Sequence, residues 1–190
     1  MNEIKYKYSL TFYKKGLLVF LSQLDMMRLF GRVLQRSGLP VAYSQGFNPH
    51  PRYSLPYPLP VGYTGTAEIL EIYLTAPARE QDLPEILNRY LPADIQILSA
   101  VFGSLAPKYF LRVILEKEVS LPENWPELVL TKETKRGRVD NYVLGEHVKL
   151  TMQGRELHVI SLTDKTFKAE RICALLDIGD IEDVVREINC

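Results

Sequence analysis

The residues that invite chemistry lie close together, in Tyr43-Ser44-Gln45-Gly46-Phe47-Asn48-Pro49-His50-Pro51-Arg52. This stretch combines an imidazole, a guanidinium, an amide and two aromatic rings. Pro49 and Pro51 fix their own φ angles and push Asn48 and His50 toward extended backbone. A segment so constrained loses little entropy on binding, so its polar groups are partly positioned in advance. Imidazoles as a class exchange protons near neutral pH, which makes His50 the candidate acid/base. It has no carboxylate or cysteine at ligand spacing, and His147 and His158 lie far along the chain on expected strands. No metal site is expected.

A second set of groups sits upstream. Arg28, Arg32 and Arg36 recur at every fourth position, so on a helix they form one stripe opposite the apolar face. Guanidiniums present paired donors that suit phosphate oxygens, although a solvated helix face has the same pattern. Arg52 would extend such a patch if the loop lay beside the helix, and Tyr43, Phe47 and Tyr53 would supply rings for base stacking. Lys132, Lys135, Arg136 and Arg138 form a further basic cluster around Gly137. It can serve a phosphate backbone, or it can keep a sheet edge soluble. RNA is the partner class these residues favour.

The elements that must hold these groups follow from periodicity. Tyr6, Tyr8, Leu10 and Phe12 alternate as a strand over 5–13, and Leu17–Leu21 is an apolar run that could extend or pair with it. Ser22 and Asp25 make an acidic capping box for a helix over about 23–37, with Leu24, Met27, Phe30 and Leu34 expected inward. Gly38 and Pro40 close it. Five prolines between Pro49 and Pro60 predict an edge-like, extended connection. Strands over 67–75 and 95–101 flank a helix over 81–90. The order is strand, helix, strand, strand, helix, strand. It predicts an α+β fold with two ferredoxin-like, split βαβ halves, the first clearer than the second. The halves are expected at 1–103 and 108–190. In the second, strands are expected over 109–119, 128–134, 147–152 and 157–162, with helices over 168–176 and 180–188. Asp177, Asp180, Glu182 and Asp183 are expected as dipole complements at helix ends.

Composition bounds the remainder. The 190 residues carry 23 basic and 23 acidic side chains, but residues 1–60 hold eight Lys/Arg against Glu3 and Asp25. That local excess is consistent with an anionic partner. Two cysteines, Cys173 and Cys190, exclude a disulfide framework. No apolar run reaches membrane-spanning length and the N-terminus lacks a signal core, so a cytoplasmic protein with no membrane partner is expected. Phosphate-cradling glycine loops, dinucleotide fingerprints, zinc spacings and serine elbows are missing.

Phe20-Leu21-Ser22-Gln23-Leu24-Asp25, the arginine-bearing helix, Gly38-Leu39-Pro40, Tyr43–Pro51 and Pro58-Leu59-Pro60-Val61-Gly62 together resemble a bacterial radical-SAM-linked family, a domain of unknown function. The likeness covers residues 5–102. Beyond them, Thr134-Lys135-Arg136-Gly137 resembles the family's basic turn. Where the family carries a histidine after Ser22, this chain has Gln23. The resemblance implies a radical SAM protein as partner and a role in RNA modification. The iron–sulfur cluster and SAM would belong to that partner, with no cofactor in this chain.

The expectation is therefore an RNA-binding accessory protein using Arg28, Arg32, Arg36, Phe47, Asn48, His50, Arg52, Lys135 and Arg136. One alternative is an RNA-processing or RNA-modifying enzyme with His50 as acid/base. The other is an adaptor that docks protein through the Pro49–Pro60 strip without nucleic acid.

Overall fold

Strand-forming residues that alternate in burial set the architecture. In the computed structural model, residues 5–105, 108–133, 137–163 and 167–189 are described. The chain divides into two compact units, residues 1–106 and 107–189, and the fold is α+β.

In the first unit, Tyr6–Lys14 forms β1, Gln23–Arg36 α1, Tyr53–Ser54 β2, Thr64–Leu74 β3, Leu83–Asn88 α2 and Ile95–Phe102 β4. The strands lie in the order β4-β1-β3-β2, every neighbour antiparallel. Tyr8, Leu10 and Phe12 of β1 and Leu70, Ile72 and Leu74 of β3 point to one face. There they pack with Met26, Phe30, Val33 and Leu34 of α1 and Leu83 and Leu87 of α2. Burial of this many large apolar side chains supplies most of the driving force.

The inward face of α1 differs from the expected one. Met26 and Val33 are buried with Phe30 and Leu34, while Leu24 is 58% exposed. A stripe centred on Phe30 serves both Met26 and Val33 on one side and Leu34 on the other, and this rotation turns Leu24 outward. Leu17–Leu21 is not a strand either. Gly16 takes a positive φ of 60°, and Gly16–Phe20 coils into a 3-10 turn.

Two charged side chains break the apolar pattern. Lys14 and Glu68 are each 1% exposed. They share the lining of a cavity of about 10 Å³ with Phe12, Gln23, Met26, Leu55, Tyr57 and Leu59. The Lys14 ammonium donates to the Val19 carbonyl at 3.1 Å, which ties the 3-10 turn to the end of β1.

The second unit contains β5 (Lys108–Leu115), β6 (Val129–Glu133), β7 (Val139–Val143), α3 (Leu144–His147), β8 (Val148–Gln153), β9 (Glu156–Ser161), α4 (Ala169–Leu176) and β10 (Ile181–Asn189). Its main strands run β10-β5-β9-β8, again antiparallel, and β6 and β7 form a separate hairpin. Each unit thus carries the same order: last strand, first, third, second.

One expected element changes type. Ile181, Val184, Val185 and Ile188 recur with helical spacing, yet Ile181–Asn189 is a strand paired with β5. A register shift between Ile181 and Asp183 takes up the spacing from Ile181 to Val184, Val184 and Val185 are buried on opposite faces of the strand, and β-branched side chains fit the pleated surface well. Pairing of the whole strand outweighs the local pattern. The acidic residues therefore cap no final helix: Asp177 is the left-handed residue closing α4, and Glu182 pairs with Arg155.

Removing one member of a buried charged set leaves the other uncompensated. Lys14→Ala is expected to destabilise the first unit by about 3–5 kcal/mol, and the paired change Lys14→Met with Glu68→Leu by much less. Urea unfolding of the three proteins checks this, and a double variant no more stable than Lys14→Ala would show that the two charges do not compensate each other.

Candidate functional site

The Tyr43–Arg52 segment closes on itself through Ser44 and His50. The Ser44 N–H donates to the His50 carbonyl at 2.9 Å, and the His50 N–H donates to Ser44 Oγ at 3.1 Å. Ser44 Oγ also lies 2.9 Å from His50 Nδ1, with the Asn48 carbonyl 3.4 Å from the same nitrogen. One short side chain thus fixes both the backbone and the ring. Nε2 of His50 faces away, with no protein partner among the described residues. Among the described residues no carboxylate orients the imidazole, and the serine–histidine contact clasps the loop.

The base of the loop is pinned to β3. Ala42 N–H donates to the Tyr73 carbonyl at 2.7 Å, Tyr73 N–H to the Arg52 carbonyl at 3.2 Å, and Arg52 N–H to the Ala42 carbonyl at 2.7 Å. Tyr43 and Pro51 form a bridge above this junction. Gly46 holds φ at 131°, open to glycine and rarely to other residues. Next to it Phe47 is fully exposed, at 106% of its reference area. A phenyl ring left wholly in water at the tip of a clasped loop contributes nothing to the core.

Arg52 stacks over Tyr73, its guanidinium carbon 5.2 Å from the ring centroid, and the Lys7 ammonium lies 5.9 Å from the same ring. Lys7 is neutralised by Glu71 at 2.6 Å, and that hydrogen bond holds the ammonium above its ordinary range. Glu71 also accepts from Ser54 at 2.9 Å. Arg52 has no carboxylate partner among the described residues. A cation held by an aromatic face keeps its outward donors available.

Arg52 and the α1 arginines do not share a surface. On β1 and β3, Lys7, Glu71 and Tyr73 alternate with the core residues and occupy the face opposite α1. Tyr53, one residue on from Arg52, points the other way: its hydroxyl donates to the Met27 carbonyl, and a Cβ on Gly31 would lie 2.8 Å from its oxygen. Gly31 is therefore where β2 meets the helix. Arg28, Arg32 and Arg36 are exposed on the outer side of α1. Arg28 pairs with Asp25 at 3.2 Å, and Arg32 Nε donates to the Arg28 carbonyl at 3.3 Å. Lys7 and Tyr73 are members of the loop's surroundings that sequence reasoning missed; their position opposite the apolar alternation of the strands was the available signal.

Lys135 and Arg136 lie outside the described residues. Nearby, Lys132 is exposed and Arg138 pairs with Asp140 at 2.8 Å. His147 Nδ1 sits 3.2 Å from Thr163 Oγ1, and His158 pairs with Glu156 at 3.1 Å. Burial, and then the charge of Glu170, pushes the Cys173 thiol up to about 11, so it is a poor nucleophile at neutral pH. Among the described residues, no group of three or more His, Cys, Asp and Glu gathers as a metal site, and no helix is long and apolar enough to cross a membrane.

The start of α1 is set by a reciprocal cap. Ser22 Oγ accepts from the Asp25 N–H at 3.2 Å and donates to the Asp25 carboxylate at 2.6 Å. That bond, with Arg28 beside it, lowers the Asp25 pKa below 3.8.

A family model described as an uncharacterized protein conserved in bacteria (DUF2344) matches residues 7–109. No curated protein matches the chain.

A lowered folded-state pKa means that the Ser22–Asp25 bond contributes stability above 3.8 and loses it as pH falls through the folded value. An NMR titration is expected to find Asp25 below 3.8 in the native chain and raised toward it in Ser22→Ala. The stability gap between the two proteins should shrink as pH drops through that window; a constant gap would contradict the cap.

Proposed function

The chain belongs to the DUF2344 family of uncharacterized proteins conserved in bacteria, and we propose that it is an RNA-binding accessory protein whose recognition surface is the Tyr43–Arg52 loop. The observation that carries this reading is Phe47, wholly exposed on a loop whose backbone is clasped at both ends. A pre-set ring in water offers a stacking platform to an unpaired base, and every base has a π-face to meet it. Arg52, steadied on Tyr73 and with no carboxylate partner among the described residues, supplies a phosphate contact. Asn48 and the outward Nε2 of His50 add hydrogen bonds to a base edge or an RNA terminus.

The family resemblance of the sequence supports a radical SAM protein as the partner, with RNA modification as the shared task. In that arrangement the partner supplies the iron–sulfur cluster and SAM, and this chain supplies the hold on the substrate. We also read both units as ferredoxin-like, on the strand order that each carries. That architecture serves many unrelated functions, so the proposal rests on the loop.

A second reading gives His50 a catalytic role. It is favoured by the fixed ring, whose Nδ1 is engaged by Ser44 while Nε2 stays open. The two readings separate experimentally.

Phe47→Ala is expected to weaken binding of single-stranded RNA by about 1–3 kcal/mol. Arg52→Ala should flatten the slope of log affinity against log salt by about 0.7, the contribution of one phosphate contact. Fluorescence anisotropy over a salt series measures both; affinity indifferent to either substitution would refute the proposal.

His50→Ala is expected to hold RNA within about tenfold of the native affinity, since a hydrogen bond contributes on the order of 0.5–1.5 kcal/mol. Intact RNA recovered from the native protein and from His50→Ala alike would set the catalytic reading aside. A change in the RNA that only the native protein makes would favour it.

A further inference from the structure

We propose that the outer face of α1 docks an acidic, helical segment of a protein partner that carries apolar side chains at one end. This surface lies on the side of the sheet opposite the Arg52–Tyr73 stack, and the inference stands independently of the RNA reading. Leu24, Arg28, Arg32 and Arg36 follow one another at every fourth position and are all exposed. From first to last they cover about 18 Å of helix, enough to lie along a helix of matching length.

The stripe is basic in its body and apolar at its head. Asp25 is the one acidic residue of α1. Leu17, Phe20 and Leu24 are 82%, 66% and 58% exposed, and Val61 is 55% exposed. The Gly62 N–H donates to the Val19 carbonyl at 2.9 Å, which brings Val61 against the same 3-10 turn. Three large exposed apolar side chains therefore lie in the turn that leads into α1 and in its first turn, with Val61 next to the residue bonded to that turn, while three guanidiniums follow along the helix. The guanidiniums are also partly ordered, Arg28 by Asp25 and Arg32 by the Arg28 carbonyl.

Charge complementarity selects the occupant. Carboxylates at successive fourth positions of a partner helix would meet Arg28, Arg32 and Arg36, and leucine or phenylalanine at its end would cover Leu24, Phe20 and Val61. RNA is the poorer fit, because of the four exposed apolar side chains only Phe20 offers a stacking face, and aliphatic Leu17, Leu24 and Val61 offer neither that nor a phosphate donor. A membrane is poorer too, since the apolar face of α1 is already buried against the sheet.

The test uses the full-length protein and two synthetic peptides of about twenty residues, long enough to span the stripe as a helix. One carries glutamates at every fourth position and a leucine–phenylalanine end; the other has the same composition in permuted order. Fluorescence anisotropy should show the ordered peptide binding at least about tenfold more tightly than the permuted one. Leu24→Ser and Arg32→Gln should each weaken it about tenfold, with unchanged far-ultraviolet circular dichroism, because both sites are exposed. Phe47→Ala and Arg52→Ala should leave peptide affinity unchanged, so failure here and failure of the RNA reading are distinguishable.

Absence of binding, equal affinity for both peptides, or loss with Arg32→Gln but not with Leu24→Ser would overturn the proposal. Displacement of the peptide by single-stranded RNA or by phosphatidylserine vesicles, with the same dependence on both residues, would overturn it as well and assign the surface to that ligand.

Discussion

The antiparallel pairing of β1 with β3 sets Tyr8 beside Ile72 and Leu10 beside Leu70, while Lys7 meets Tyr73 on the other side. Side chains on a strand alternate, so this one register sorts the first unit into a face that must be covered and a face that need not be. The helices cover the first. Lys7, Glu71 and Tyr73 are left on the second, where Arg52 finds an aromatic ring to rest on. A slip of one residue would exchange the two sets, burying cations and exposing leucines. The division of cationic surfaces follows from the same constraint.

The covered face is not uniformly apolar. Lys14 and Glu68 sit at the end of the core where β1 hands over to the 3-10 turn, and the chain takes both out of water. Gly65 makes room for this: a Cβ there would come within 2.6 Å of the Glu68 side chain. Burying charge costs desolvation energy that apolar residues of similar size would not. Its structural consequence is positional, because the ammonium can reach the Val19 carbonyl only if the turn coils as it does. That coil sets where Ser22 begins α1.

Much of this was legible in the residues, and the misses share a cause. Ser22 with Asp25, Gly38 and the alternation of β1 announced their elements through local chemistry that nothing downstream overrode. The inward face of α1 was not announced, since Leu24 and Met27 fit a helical stripe as well as Met26 and Val33 do; the sheet beneath chose between them. In Ile181–Asn189 the helical spacing was real and the strand still won, because β5 offered a full ladder of backbone bonds. The loop was visible as a stiff, polar segment from its prolines alone. Its clasp depends on Ser44 meeting His50 across the turn, and its surroundings depend on strands some distance away in the chain, so neither could be read locally. Arg28, Arg32 and Arg36 were correctly aligned as a stripe, but alignment along one helix carries no information about what lies across the sheet.

The two units separate fold from function within one chain. Each runs its strands in the same order, so the same hydrogen-bonded frame is built twice. Between the first and second strands of that order, the first unit places a 14-residue helix with arginines outward, followed by the clasped loop. At the corresponding point the second unit places the β6–β7 hairpin and a single turn of helix. A repeated frame with unlike insertions gives unlike surfaces. The exposed ring, the steadied guanidinium and the basic stripe all belong to the insertion of the first unit, and the family model, over residues 7–109, matches that insertion together with the strand frame that holds it. The strand frame explains why these groups hold still; the insertion explains what they are able to meet.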